Sequence, residues 1–195
     1  MNWFQNLSVR LKILSVAGLG IVLFVVYAAY SYYIAETNIH HLERIEDQDF
    51  PVLELVNANN VDFIAIGESF IAAITQADPD LLQEALDRSE KFEQRLDQIR
   101  QTDPELSESV GELKKSFANY IYAADTLARS LIDDSSASED IYQRITRVRE
   151  LQNTYETNQK AFETQRYEAF RETLNKSRGD NQGTQKIGLF LGLVA

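Results

Sequence analysis

Apolar residues fall along this chain in two ways, as unbroken runs and as stripes at three- and four-residue steps. From Ile13 to Ala35 the sequence ILSVAGLGIVLFVVYAAYSYYIA contains no Asp, Glu, Lys, Arg or His. About 23 such residues suffice to cross a ~30 Å hydrocarbon layer as a helix, so this stretch is predicted to span a membrane. Arg10 and Lys12 precede the run and Glu36 is the first acid after it. The bias of basic residues places 1–12 in the cytoplasm and the chain from Glu36 outside. Tyr27, Tyr30, Tyr32 and Tyr33 gather at the outer end, where amphipathic rings favour the headgroup layer. A cleaved signal peptide usually carries an apolar core of only about 7–15 residues, and this run exceeds that. A second apolar segment opens at Lys186 and runs to Ala195, about half the length of a span. It predicts the start of a second transmembrane helix, and with it a longer protein of which these residues are the N-terminal part.

Between the two runs the stripes predict four helices. The first continues out of the membrane span to about Gln76, with Leu53, Val56, Asn60, Phe63, Gly67, Phe70 and Ile74 on one face. Pro51 interrupts it and predicts a kink or a restart there, with Asp49 as the available cap. Asp78-Pro79 and Asp103-Pro104 are the same punctuation used twice, an aspartate cap before a proline at the first helical position. They open a second helix, to about Gln101, with the stripe Leu82, Ala85, Ser89, Phe92, Leu96 and Ile99. They also open a third, to about Ile132, with Leu106, Val110, Leu113, Phe117, Tyr120, Ala124, Leu127 and Leu131. Asp133 to Ser138 is a polar loop, and Ser136 with Glu139 forms a capping-box pair that opens the fourth helix. That helix carries Ile141, Ile145, Val148, Leu151, Tyr155, Phe162, Phe170 and Leu174 to about Ser177, before Gly179 and Gly183 loosen the chain.

No strand-like alternation appears, so the fold class is all-α. Short turns predict an antiparallel up-down four-helix bundle at residues 36–185, its first helix continuous with the transmembrane helix. At 1.5 Å per residue the outer pair would run to roughly 60–65 Å and the inner pair to roughly 35–43 Å. The bundle proper is therefore expected from Pro51 to about Glu163, on a stalk of residues 36–50 and 167–183. A lone helix pair hides little apolar surface, so a homodimer is expected.

Charge narrows the partners. All 30 acids lie between Glu36 and Gln185, while Arg10, Lys12 and Lys186 lie outside that stretch, so the outer segment is more negative than the chain's −11. This disfavours nucleic acid, which binds through basic patches. There is no cysteine, no phosphate-cradling glycine loop, no Ser-His-acid set and no metal-ligand spacing. His40 and His41 are the only histidines and diverge by about 100° on a helix. Neither a catalytic residue nor a cofactor is predicted. Six residues stand out as ligand-binding candidates. Asn57 and Asn60 sit on or beside an apolar stripe, where a buried amide needs a partner. Arg144 and Arg147 open the fourth helix and can grip a carboxylate in paired hydrogen bonds. Tyr120 and Tyr142 offer planar faces. Each has a plainer use as register amide, solvated cation or core ring.

The segments NLSVRLKI before the span, DFPVLEL beside the membrane and AITQADPDLLQEAL at the first turn resemble the sensor regions of bacterial methyl-accepting chemotaxis proteins. The resemblance implies a receptor in the inner membrane whose dimeric periplasmic bundle binds a small molecule or a ligand-loaded carrier protein. A small displacement of the fourth helix would then pass through the second span to a cytoplasmic kinase. Similar bundles precede histidine kinase and diguanylate cyclase modules; a membrane-anchored structural or adhesion bundle is the alternative of another class. Aspartate-type receptors use arginines from their first helix, whereas residues 51–76 here contain no Lys or Arg.

Overall fold

A computed structural model of the protein describes residues 8–133 and 140–194, with side chains for all of these but 12, 16 and 180–194. Over the described residues the fold is all-α, without strands. The helices are α1 (Val9–Arg44), α2 (Phe50–Gln76), α3 (Pro79–Thr102), α4 (Ser107–Asp133) and α5 (Ile141–Val194). The predicted loop at 133–138 and its Ser136–Glu139 pair lie almost wholly outside the described residues.

The chain does not restart at Pro51. A π-helical turn, Ile45–Asp49, joins α1 to α2, and Asp49 keeps helical angles (φ −65°, ψ −44°) with no side-chain cap bond. Proline has no N–H for the carbonyl four residues back, and its ring crowds that oxygen. A wider turn just before it accommodates the clash without ending the helix. Gly179 and Gly183 likewise fail to end α5, which runs through both to Val194. An interior glycine costs only about 1 kcal/mol against alanine, so two of them weaken a helix without breaking it.

Both aspartate caps form. Asp78 Oδ1 accepts from the Asp80 amide at 2.8 Å, and Asp103 Oδ1 from the Glu105 amide at 3.1 Å. After Asp103 a 3-10 turn, Pro104–Leu106, leads into α4. Between α2 and α3 the corner turns on Ala77, held left-handed at φ 51°, ψ 43° while the Asp78 amide reaches back to the Ala73 carbonyl at 3.0 Å. A Cβ in that region costs roughly 1–2 kcal/mol. Ala77→Gly should therefore raise stability by about 0.5 kcal/mol, part of the relief being offset by the freer unfolded chain. Urea unfolding of the full chain in detergent checks this; a loss of stability would mean that the corner is not strained.

The described chain divides into two compact units. One takes the residues up to Ile45 together with those from Arg171 onward. Within it α1 holds the apolar run, and this is the one helix among the described residues that is long and apolar enough to cross a membrane by length and composition; none of its most apolar window is buried.

The other unit, Glu46–Phe170, holds the core. α3 buries Leu82, Ala85, Ser89, Phe92, Leu96 and Ile99, the stripe its spacing predicts. α4 buries its predicted stripe as far as Leu127, and Ala128 in addition. On α2 the buried face is turned slightly from the predicted one, with Asn59, Ile66 and Ala73 inward in place of Asn60, Gly67 and Ile74. α5 contributes least. Only Tyr155 and Phe162 of its predicted stripe are fully buried, while Val148 and Leu151 pack partly against the core. Contact numbers rise on one helix as they fall on its neighbour. Phe92 meets Phe117 and Asp97 meets Lys114 between α3 and α4. Between α2 and α5, Asn57, Asn60 and Phe63 meet Tyr167, Gln159 and Tyr155.

Candidate functional site

At the centre of the Glu46–Phe170 unit lies a cluster of rings. Phe92 stacks on Phe117 with centroids 4.0 Å apart, and Tyr155 packs against Phe63, Phe117 and Phe92 at 4.6, 5.4 and 5.9 Å. Tyr120 belongs to this core, 5.5 Å from Phe63. Burial, with a smaller contribution from Glu156, pushes its phenol up to about 12, and burial pushes the Tyr155 phenol higher still. Both stay neutral at ordinary pH and act as packing groups.

Around the rings, polar contacts tie α2 to its neighbours. Arg95 of α3 donates from Nε to Asn59 Oδ1 at 2.7 Å and from Nη2 to the Asp62 carboxylate. Gln159 of α5 donates to Asn60 Oδ1, and the Tyr167 hydroxyl to Asn57 Oδ1 at 3.4 Å. The two predicted asparagines thus face α5 and fix its register against α2. Lys114 bonds Asp97 at 2.8 Å, which holds the Asp97 carboxyl below its ordinary range and lifts the Lys114 ammonium. Arg166 of α5 lies over the Phe162 ring at 5.8 Å and faces Asp103 at 3.8 Å.

Arg144 and Arg147 do come together. They share one wall of a groove of about 400 Å³ between α4 and α5, opposite Asn119, Tyr122, Ala123 and Thr126, with Leu151 beside them. Arg144 Nη2 donates to the Thr126 carbonyl at 2.9 Å, which holds its side chain across the groove. Arg147 pairs with Glu150 at 3.5 Å. Tyr142 is 84% exposed and lines a separate surface of α5 with Arg147 and Glu150. The six candidates therefore occupy distinct places: the asparagines at the α2–α5 contact, Tyr120 in the core, the arginines in the groove, and Tyr142 outside it.

Sequence reasoning missed the groove's α4 wall, the Arg95 contacts and an exposed seam on α2. Phe50, Val61, Ile64 and Ile71 are exposed, and with Glu54, Asn57, Glu68 and Thr75 they repeat at alternating four- and three-residue steps. The signal was present as Phe50, Val61, Ile64 and Ile71, apolar residues that fall outside the core stripe.

No protein-family model, curated protein or solved structure matches the chain.

Proposed function

We propose that the protein is the transmembrane sensor portion of a chemoreceptor-type signalling protein. The observation that carries this reading is the build of two helices. The helix from Val9 to Gln76 has a membrane-length apolar run at one end and core residues of the Glu46–Phe170 unit at the other. α5 has core residues near its start and reaches the second apolar run at its end. A helix that belongs to both a folded unit and a span can carry a displacement from one to the other. The alternating sense of the helix contacts supports an antiparallel up-down four-helix bundle in the periplasm, with 13–35 in the inner membrane.

The α2 seam supports a homodimer. Its 3.5-residue repeat is that of a two-stranded coiled coil, and the absence of Lys and Arg from α2 leaves the face free of fixed positive charge. In this reading a second copy covers Val61, Ile64 and Ile71, and ligand occupancy shifts α5, the helix with the smallest share of the core, toward a kinase on the cytoplasmic side.

The chain has no cysteine, so single substitutions report cleanly. Ile64→Cys in native membranes should form a disulfide between copies, and Tyr122→Cys on α4 should not. Tyr142→Cys should be labelled from the periplasmic side by a thiol reagent that does not cross membranes. Equal crosslinking at both positions would remove the dimer, and labelling from the cytoplasmic side alone would invert the topology.

A further inference from the structure

We infer that the groove between α4 and α5 is a binding site for a small carboxylate with a flat apolar body, gripped by Arg144 and Arg147. This deepens the sensor reading and rests on it for the site's purpose.

The lining is unusual for this chain. The protein carries a net charge of −11, yet the described residues that line this groove include two guanidinium groups and no carboxylate. Two like charges three residues apart on one helix repel one another, and an anion between them reverses the sign of that interaction. Among the described residues, what each arginine touches engages only part of its fork. The Thr126 carbonyl that Arg144 meets is uncharged, and it orients the fork while leaving other N–H groups to donate. The Arg147–Glu150 pair is solvent-exposed at both ends, a geometry that contributes little. Planar forks match the two oxygens of a carboxylate.

The remaining surface selects the body of the ligand. Tyr122, 77% exposed, is among the lining residues, and Ala123 and Leu151 add aliphatic side chains. An exposed ring beside aliphatic groups favours a flat apolar partner over a hydrated inorganic anion. The volume of about 400 Å³ lies toward the small end of ordinary ligand sites and suits a small ligand.

Benzoate is the probe, with benzamide matching its shape without charge and inorganic phosphate matching charge without a ring. The full chain in lipid nanodiscs is titrated by ligand-observed NMR. Benzoate should bind saturably below about 1 mM, and both comparison probes at least ~10-fold more weakly. Arg147→Gln, which loses only an exposed partner, should weaken benzoate by at least ~10-fold with its melting point unchanged, and Arg144→Gln similarly. Benzamide or phosphate binding as well as benzoate would overturn the inference, as would no saturable benzoate binding or parental affinity in both variants. A chain that crosslinks at Ile64→Cys and faces the periplasm but ignores benzoate loses this ligand class and keeps the sensor reading. One that binds benzoate without inserting or pairing does the reverse.

Discussion

Tyr155→Ala is expected to lower the stability of the Glu46–Phe170 unit by about 3–5 kcal/mol, the cost of emptying a large ring from a packed core. The ring is 1% exposed and touches three others, from α2, α3 and α4. It is also one of only two fully buried side chains that α5 supplies among the described residues. Its loss therefore removes packing energy and loosens a whole helix at once. Tyr155→Phe should cost less than about 1 kcal/mol, because the packing comes from the ring and not from the hydroxyl. Urea unfolding of the full chain in detergent, followed by circular dichroism, measures both. A Tyr155→Ala loss no larger than that of Tyr155→Phe would mean that α5 is not held at this point.

Asp103→Ala is the second large effect, at about 3 kcal/mol, because one side chain does two jobs. Asp103 caps the turn that opens α4, and its carboxylate faces Arg166 of α5. Both charged side chains are sequestered, 5% and 12% exposed. Alanine leaves the guanidinium buried without a counter-charge and the Glu105 amide without its acceptor. Asp103→Asn keeps an oxygen for the amide and should lose roughly half as much. Adding Arg166→Met to Asp103→Ala should recover part of the loss, since an apolar side chain has no charge to strand. If the double variant is as unstable as the sum of the two single ones, the two residues do not interact.

What the sequence made legible depended on how many faces of each helix are apolar. α3 has one apolar face and is charged elsewhere, so its six core residues follow from spacing alone, and its aspartate-proline start sets the phase. α2 has apolar residues on two faces, core and seam. Its spacing fits two phases one residue apart, and the wrong one put Asn60 inward where the structure buries Asn59. Pro51 signalled a disturbance without naming its kind, because a kink, a restart and a π turn all relieve the same clash. At the groove, Arg144 and Arg147 were legible as neighbours on one helix turn. The residues opposite them were not, because Asn119, Tyr122 and Thr126 meet them only when α4 and α5 are laid together. Tyr120 and Tyr142 illustrate the same limit: composition offers two rings, and packing alone decides that one is core and the other bathed in solvent.

The connections between helices give this molecule a mechanical weak direction. α2, α3 and α4 are joined by corners of a few residues, one clamped by Ala77 and the next by Asp103, and each commits a full stripe of side chains to the interior. α5 is anchored mainly by two large rings and a few polar contacts spread along its length. A load drawn along α5 meets those fastenings one after another, while the other three helices resist as a block. Traction on α5 is therefore borne by Tyr155, Phe162 and those polar ties before it reaches the rest.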